Sequence, residues 1–209
     1  MSNYFAEFVP LNPNARAGPP WLRYNTRIYI DPIIQPSNAD RPIASIVAIN
    51  PGSAMPPSAY VAGTLAPLIL GQDKTLSRIL NAFINAINDR KNRDPYTPNG
   101  NYIQVFNLFY LCNPDLGQAL NQLANHGPFF DPNERCLVEP VWFAWGASDK
   151  QLNPLKQRFL TINPRRCLYW DCHQEKPIKL IPSLTTTATH PRRVSTLNTC
   201  FISSLADLL

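Results

Sequence analysis

The chain reads as an α/β fold, a three-layer sandwich built on a central, mostly parallel four-stranded sheet, and three observations predict it. Short apolar runs rich in β-branched and aromatic residues recur at Ile43–Asn50, Tyr102–Leu108, Leu137–Trp145 and Cys167–Trp170. Runs of that length closed by turn residues are strands buried on both faces. Helical segments stand between them, and strand alternating with helix marks a parallel sheet covered on both sides. The length, 209 residues, suits one domain with a sizeable core. Within it, residues 1–42 are expected to form an N-terminal arm and edge hairpin, 43–195 the core, and 196–209 a C-terminal tail.

Each element has its own reason. Residues 1–26 mix aromatics with prolines and asparagines without helical or strand periodicity, which predicts an arm laid over the domain. Trp21–Ile30 places strand formers around Asn25-Thr26, which predicts an irregular edge hairpin with Arg23 and Arg27 exposed. The first central strand runs into Asn50-Pro51-Gly52, where proline fixes φ and glycine permits close approach. From Gly52 to Gln72 the prolines at 56, 57 and 67 and the lack of periodicity predict a long loop, of the kind that often carries function at a strand end. Asp73 is the expected cap of an amphipathic helix, because Leu76, Ile79, Leu80, Phe83, Ile84 and Ile87 recur at three- and four-residue steps. That helix should stop before Asp94-Pro95.

Tyr102–Leu108 is the second central strand, with Asn107 at its close, and Pro114-Asp115 starts a short helix to about Ala124. The third strand begins in earnest after Pro140. Gly146-Ala147-Ser148 then turns the chain into a helix from Asp149 to about Leu160. Cys167–Trp170 is the fourth strand, and the apolar tail Phe201–Leu209 predicts a last packed helix.

Composition narrows the function classes. Nineteen Lys+Arg against 14 Asp+Glu give a net charge of +5 and a pI near 9.0. That balance favours a polyanionic partner such as DNA, and it equally suits a mildly basic soluble protein. Twenty-two prolines against 8 glycines stiffen the connections. The five cysteines form an odd set with no C-x-x-C pair and no secretory signal ahead of them, which points to a reducing cytoplasm. Cys167, Cys172 and His173 lack the spacing of a zinc knuckle, so neither metal nor cofactor is expected. No apolar run reaches membrane-spanning length, and no obligate protein partner is implied.

Three chemistry-bearing positions fall at strand ends or beyond: Asn50, Asn107 and the turn His190-Pro191-Arg192-Arg193. Each has a plainer reading. N-P-G is also a common tight connection, a strand-end asparagine also satisfies loop backbone, and a histidine beside proline is also structural.

Taken in order, these landmarks resemble the uracil-DNA glycosylase superfamily. A-I-N-P-G is similar to the first motif of its mismatch-specific and thymine-DNA branches. D-K-T-L-S-R-I-L-N-A-F, from Asp73 to Phe83, looks like the helix after that motif's long loop. F-N-L-F around Asn107 resembles the base-reading asparagine of the single-strand-selective branch, and H-P-R-R-V-S looks like the second motif. A bacterial family of unknown function shares the N-P, D-x-T-x-x-R, V-x-N-L-F, W-G and H-P landmarks over residues 43–195, which implies a bacterial or phage source.

The resemblance implies a monofunctional DNA glycosylase that hydrolyses the N-glycosidic bond of a flipped, damaged or modified pyrimidine, including modified cytosine in foreign DNA. It implies a catalytic pair, Asn50 to position water and His190 to donate to the departing base. Ile49, Pro51, Gly52 and Asn107 would shape and read the base pocket, with Phe106, Phe109 or Tyr110 stacking on the ring, core packing being the readier role for Phe106 and Phe109. Arg192, Arg193, Ser195 and Arg78 would hold the DNA backbone, and Val194 would fill the gap left by the base. Two departures bear on rate: the most active uracil enzymes carry aspartate in the first motif and serine after the late H-P, where this chain has Asn50 and Arg192. The iron-sulfur branches need four spaced cysteines, a pattern these five do not match. A catalytically silent nucleic-acid binding module and a nucleoside or nucleotide hydrolase share the same landmarks.

Overall fold

The computed structural model of the chain describes residues 1–12, 20–58, 60–71, 74–127, 129–146, 149–194 and 199–209. Among these, eight strands and four α-helices follow one another. The strands are β1 (Ser2–Pro10), β2 (Trp21–Ile33), β3 (Pro42–Ala48), β4 (Leu65–Pro67), β5 (Tyr102–Asn107), β6 (Val141–Ala144), β7 (Cys167–Asp171) and β8 (Lys176–Ile178). The helices are α1 (Thr75–Arg93), α2 (Leu116–His126), α3 (Asn153–Leu160) and α4 (Thr199–Ala206).

The chain is an α/β protein with one mixed sheet, in the order β4-β1-β2-β5-β3-β6-β7-β8. β5, β3, β6 and β7 pair in parallel. β2, β1 and β4 continue the sheet antiparallel on one side and β8 on the other. The expected four strands therefore widen to eight, and the sheet as a whole is mixed.

The N-terminal segment is the main correction. Residues 2–10 are not an arm but strand β1, whose register shifts between Phe5 and Glu7. Phe5 packs with Tyr29 and Tyr102 while Ala6 and Phe8 join the main core, so both faces of the strand are buried and the two-residue period is hidden. The hairpin expected around Asn25-Thr26 is absent: β2 runs on for 13 residues through Asn25, which sits at φ 43. The kink is held by the Asn25 N–H donating to Asp131 Oδ2 at 2.7 Å. It turns Arg23 inward to 2% exposure, against the expected exposed position. Arg27 is also half-buried, with its guanidinium 4.9 Å from the Tyr102 ring centre.

Helices cover the sheet by apolar stripes. Leu76, Ile79, Leu80 and Phe83 of α1 and Phe201, Ile202 and Leu205 of α4 pack with Ala44, Ile46, Val105 and Trp142. Ala119 of α2 and Leu155 and Phe159 of α3 pack with Val47, Phe106, Val141 and Phe143. Successive strand residues thus feed two separate core layers, as the pleat requires. Asp115 caps α2 by accepting from the Gln118 N–H at 2.9 Å. The helix expected from Asp149 begins as a 3-10 turn, Lys150–Leu152, and becomes α-helical only at Asn153, with proline in its first turn. The expected cap Asp73 and the turn residues Ala147 and Ser148 lie outside the described residues. Part of the long loop is ordered by pairing, through β4 and a bridge between Met55 and Ile69. No described helix is long and apolar enough to cross a membrane.

Candidate active site

The site forms where the parallel strands end. β3 and β5 lie side by side with Ala48 opposite Asn107. Beyond their last residues the Leu108 N–H still donates to the Ala48 carbonyl at 2.9 Å and the Phe109 N–H to that of Ile49 at 3.3 Å. The two asparagines are therefore delivered to one mouth by adjacent chains. Gly52 at φ 69 closes the Asn50-Pro51-Gly52 turn in the left-handed region.

A cavity of about 250 Å3 opens there, lined by Ala48, Asn50, Pro51, Gly52, Asn107 and His190, with Arg23 from β2 and Leu76 and Ile79 from α1. Three positions far apart in sequence, 50, 107 and 190, thus line one cavity. Exposed Ser53 and Arg192, also part of the lining, mark its rim.

Hydrogen bonding assigns each polar atom a direction. Asn50 Nδ2 donates to the Asn113 carbonyl at 2.7 Å. A carbonyl only accepts, so the amide orientation is fixed and Oδ1 is left as an acceptor with no partner among the described residues. Asn113 is itself held, its Oδ1 accepting from the Asp115 N–H at 2.8 Å. Asn107 is 1% exposed, and its Nδ2 has no hydrogen-bond partner among the described residues. A buried donor left so costs about 1–3 kcal/mol unless a ligand or water takes it. His190 Nδ1 accepts from the Arg192 N–H at 3.3 Å, so the neutral ring carries its proton on Nε2 and is a donor there.

The frame around these groups is stiff. Arg158 donates to the main-chain oxygens of Asn107 at 2.9 Å and Leu108 at 2.8 Å, and pairs with both oxygens of Glu134 at 2.7 and 3.0 Å. Burial first, then the Glu134 and Asp131 carboxylates, push the Tyr110 phenol well above its ordinary value, so it stays neutral. Gly146, at φ 66, donates to the Ala188 carbonyl at 2.6 Å, and a Cβ there would stand 2.5 Å from His190 Cβ. Only glycine lets the histidine turn approach the end of β6 this closely.

Other expected site residues stand elsewhere. Phe109 and Tyr110 are fully buried and do not line the cavity: Phe109 packs in the core, and Tyr110 stacks on Tyr24 with ring centres 5.1 Å apart. They cannot stack on an entering ring without unpacking that core. Ile49 lines a neighbouring cavity of about 390 Å3 with Trp145, His190, Arg192 and Arg193. Val194, expected to fill the gap left by a base, is 4% exposed and packed in the interior. Arg192 and Arg193 are exposed, and Arg78 donates to the Arg192 carbonyl, bracing the turn. Ser195 lies outside the described residues. Among those residues no cluster of three or more His, Cys, Asp or Glu side chains could hold a metal ion.

The sequence reading missed Arg23, Asn113, Arg158 and Glu134. Asn113-Pro114-Asp115 carried a legible turn signal; nothing in the spacing of Glu134 and Arg158 announced their pairing. Compared with known proteins, the chain matches no family model, no curated protein and no solved structure.

Proposed function

We propose that the protein is a DNA glycosylase that hydrolyses the bond between deoxyribose and a pyrimidine flipped out of the helix. The reading is carried by one observation: Asn50, Asn107 and His190 line a single cavity. Its volume of about 250 Å3 falls below the roughly 300–1,000 Å3 of pockets for drug-sized ligands, and so suits one ring and a water.

The chemistry follows from the donor and acceptor atoms of these three side chains. Asn50 Oδ1 accepts a hydrogen bond from a water and aims its oxygen at C1′. Asn107 Nδ2 donates to a ring carbonyl, and His190 Nε2–H donates to another as charge gathers on the leaving base. An amide is a weak base, so the water is oriented rather than deprotonated in advance. The ring is held between aliphatic surfaces, Pro51 on one loop and Leu76 and Ile79 on α1. Arg192 stands at the rim and Arg193 is exposed beside it, where flanking phosphates would lie. The uracil-DNA glycosylase resemblance supports this assignment, and the parallel run β5-β3-β6-β7 with helices packed on both of its faces is compatible with that family's three-layer sandwich.

The test is incubation with single- and double-stranded oligonucleotides carrying uracil, a thymine mismatch or modified cytosines, followed by alkali. Strand breaks at the marked base support the reading. Salt-sensitive binding without breaks would replace it with a silent binding module, and base release from free nucleosides alone with a small-molecule hydrolase.

A further inference from the structure

Arg23 enters the site from an unexpected side. β2 runs antiparallel to β5 with Thr26 opposite Val105, so the residues just before Thr26 pass alongside the end of β5. The Arg23 N–H is fixed there by the Tyr110 carbonyl at 2.9 Å. Its side chain is 2% exposed and lines the cavity with Asn50, Asn107 and His190. Arg192, by contrast, is exposed at the rim, and Arg193 is exposed next to it on the His190 turn.

The difference in burial separates two jobs. An exposed guanidinium acts on phosphates through water and is weakened by salt. A guanidinium in a low-dielectric wall acts strongly on whatever enters the cavity, and it keeps its charge at any working pH. It already acts on Cys112, whose thiol burial pushes up to about 11 while the Arg23 charge pulls the other way.

We propose that Arg23 stabilises the negative charge that develops on the departing base. The inference rests on the glycosylase reading. As the C1′–N1 bond breaks, its electron pair leaves with the ring and spreads over the ring carbonyls, toward which Arg23 supplies N–H donors and a fixed positive charge. The oxygen of water bonds to C1′, one water proton is released, and N1 of the base takes up a proton, which balances the hydrolysis. The site then works by easing departure more than by sharpening the nucleophile, in keeping with an amide rather than a carboxylate at position 50.

Two measurements test this, one independent of turnover. Calorimetric titration of the protein with barbiturate, a pyrimidine anion at neutral pH, and with neutral uracil should show the anion bound at least about tenfold tighter by the wild type. Arg23→Gln should erase that preference while changing uracil binding little, and Arg23→Lys should keep part of it. In single-turnover excision, Arg23→Gln should slow release of uracil by a factor on the order of 10² and of 5-fluorouracil, a better leaving group, by much less. Equal losses for both bases, or a wild type that does not favour the anion, would overturn the proposal. If Arg23→Gln does not fold, the wild-type anion preference and the Arg23→Lys variant still decide. Anion preference without excision of any base would refute the glycosylase reading while leaving the charge assignment standing.

Discussion

The guanidinium of Arg158 reaches the main-chain oxygen of Asn107 at 2.9 Å, tying helix α3 to the last residue of strand β5. The same guanidinium is fixed by Glu134, whose Oε1 also accepts the Asp131 N–H at 3.3 Å. Asp131 in turn holds the kink at Asn25 in β2. One polar chain thus links the kink in β2, near Arg23, to the strand end that carries Asn107.

Arg158→Met should leave Glu134 largely buried without its partner, since the two side chains are 19% and 12% exposed. The expected loss is about 3 kcal/mol of unfolding free energy, measured by urea titration. Because Arg158 positions Asn107 rather than touching substrate, kcat should fall more than KM rises. An unchanged kcat would remove Arg158 from the support of the site.

Gly146→Ala should displace His190, since the added carbon would stand 2.5 Å from His190 Cβ. The left-handed backbone at φ 66 adds a cost of roughly 1–2 kcal/mol for a side chain. Excision should drop on the order of tenfold or more while melting shifts only modestly. Wild-type turnover in this variant would show that the close approach has no role.

Asn50→Asp tests the direction assigned to the amide. The native Nδ2 donates to the Asn113 carbonyl at 2.7 Å, a bond only a protonated carboxyl can keep. The neutral acid is therefore favoured, and the aspartate pKa should lie above its ordinary value of about 3.9. Only the ionised form can act as a base on water. The excision rate of this variant should accordingly rise with pH through that elevated pKa, and a flat profile down to strongly acidic pH would contradict the orientation.

The thiols offer a check on the fold alone. Burial pushes Cys112 and Cys167 up to about 11, so both thiols are protonated; Cys167 is buried and Cys112 half-buried, whereas Cys136, Cys172 and Cys200 are exposed. Brief alkylation of the native protein at mildly alkaline pH, read by mass spectrometry, should modify the last three first, Cys112 more slowly, and spare Cys167. Rapid labelling of Cys167 would contradict its burial in β7.

The central strands were legible because β3, β5 and β6 are buried on both faces and read as short, largely apolar runs, and β7 opens with one. The outer strands were not. β1 buries apolar side chains on both faces, Phe5 in one cluster and Ala6 and Phe8 in another, and β2 carries an extra residue beside left-handed Asn25, so neither shows a period of two. Arg23 was misplaced for the same reason: a charged residue in a presumed edge turn is normally solvated, and only the kink and its pairing beside β5 carry it inside. Asn50, Asn107 and His190 were visible as strand-end or turn residues, but the packing of Phe109 and Tyr110 depends on how the chain turns back into the core after Asn107. No local pattern records that turn.

The most direct test of the account is single-turnover excision by the wild type, Asn50→Ala and His190→Ala on duplexes carrying uracil, mismatched thymine or modified cytosine. The account predicts alkali-labile sites at one or more of these bases with the wild type, and a loss on the order of 10² in rate for each variant. Intact strands throughout, or variants that cleave at the wild-type rate, would contradict it.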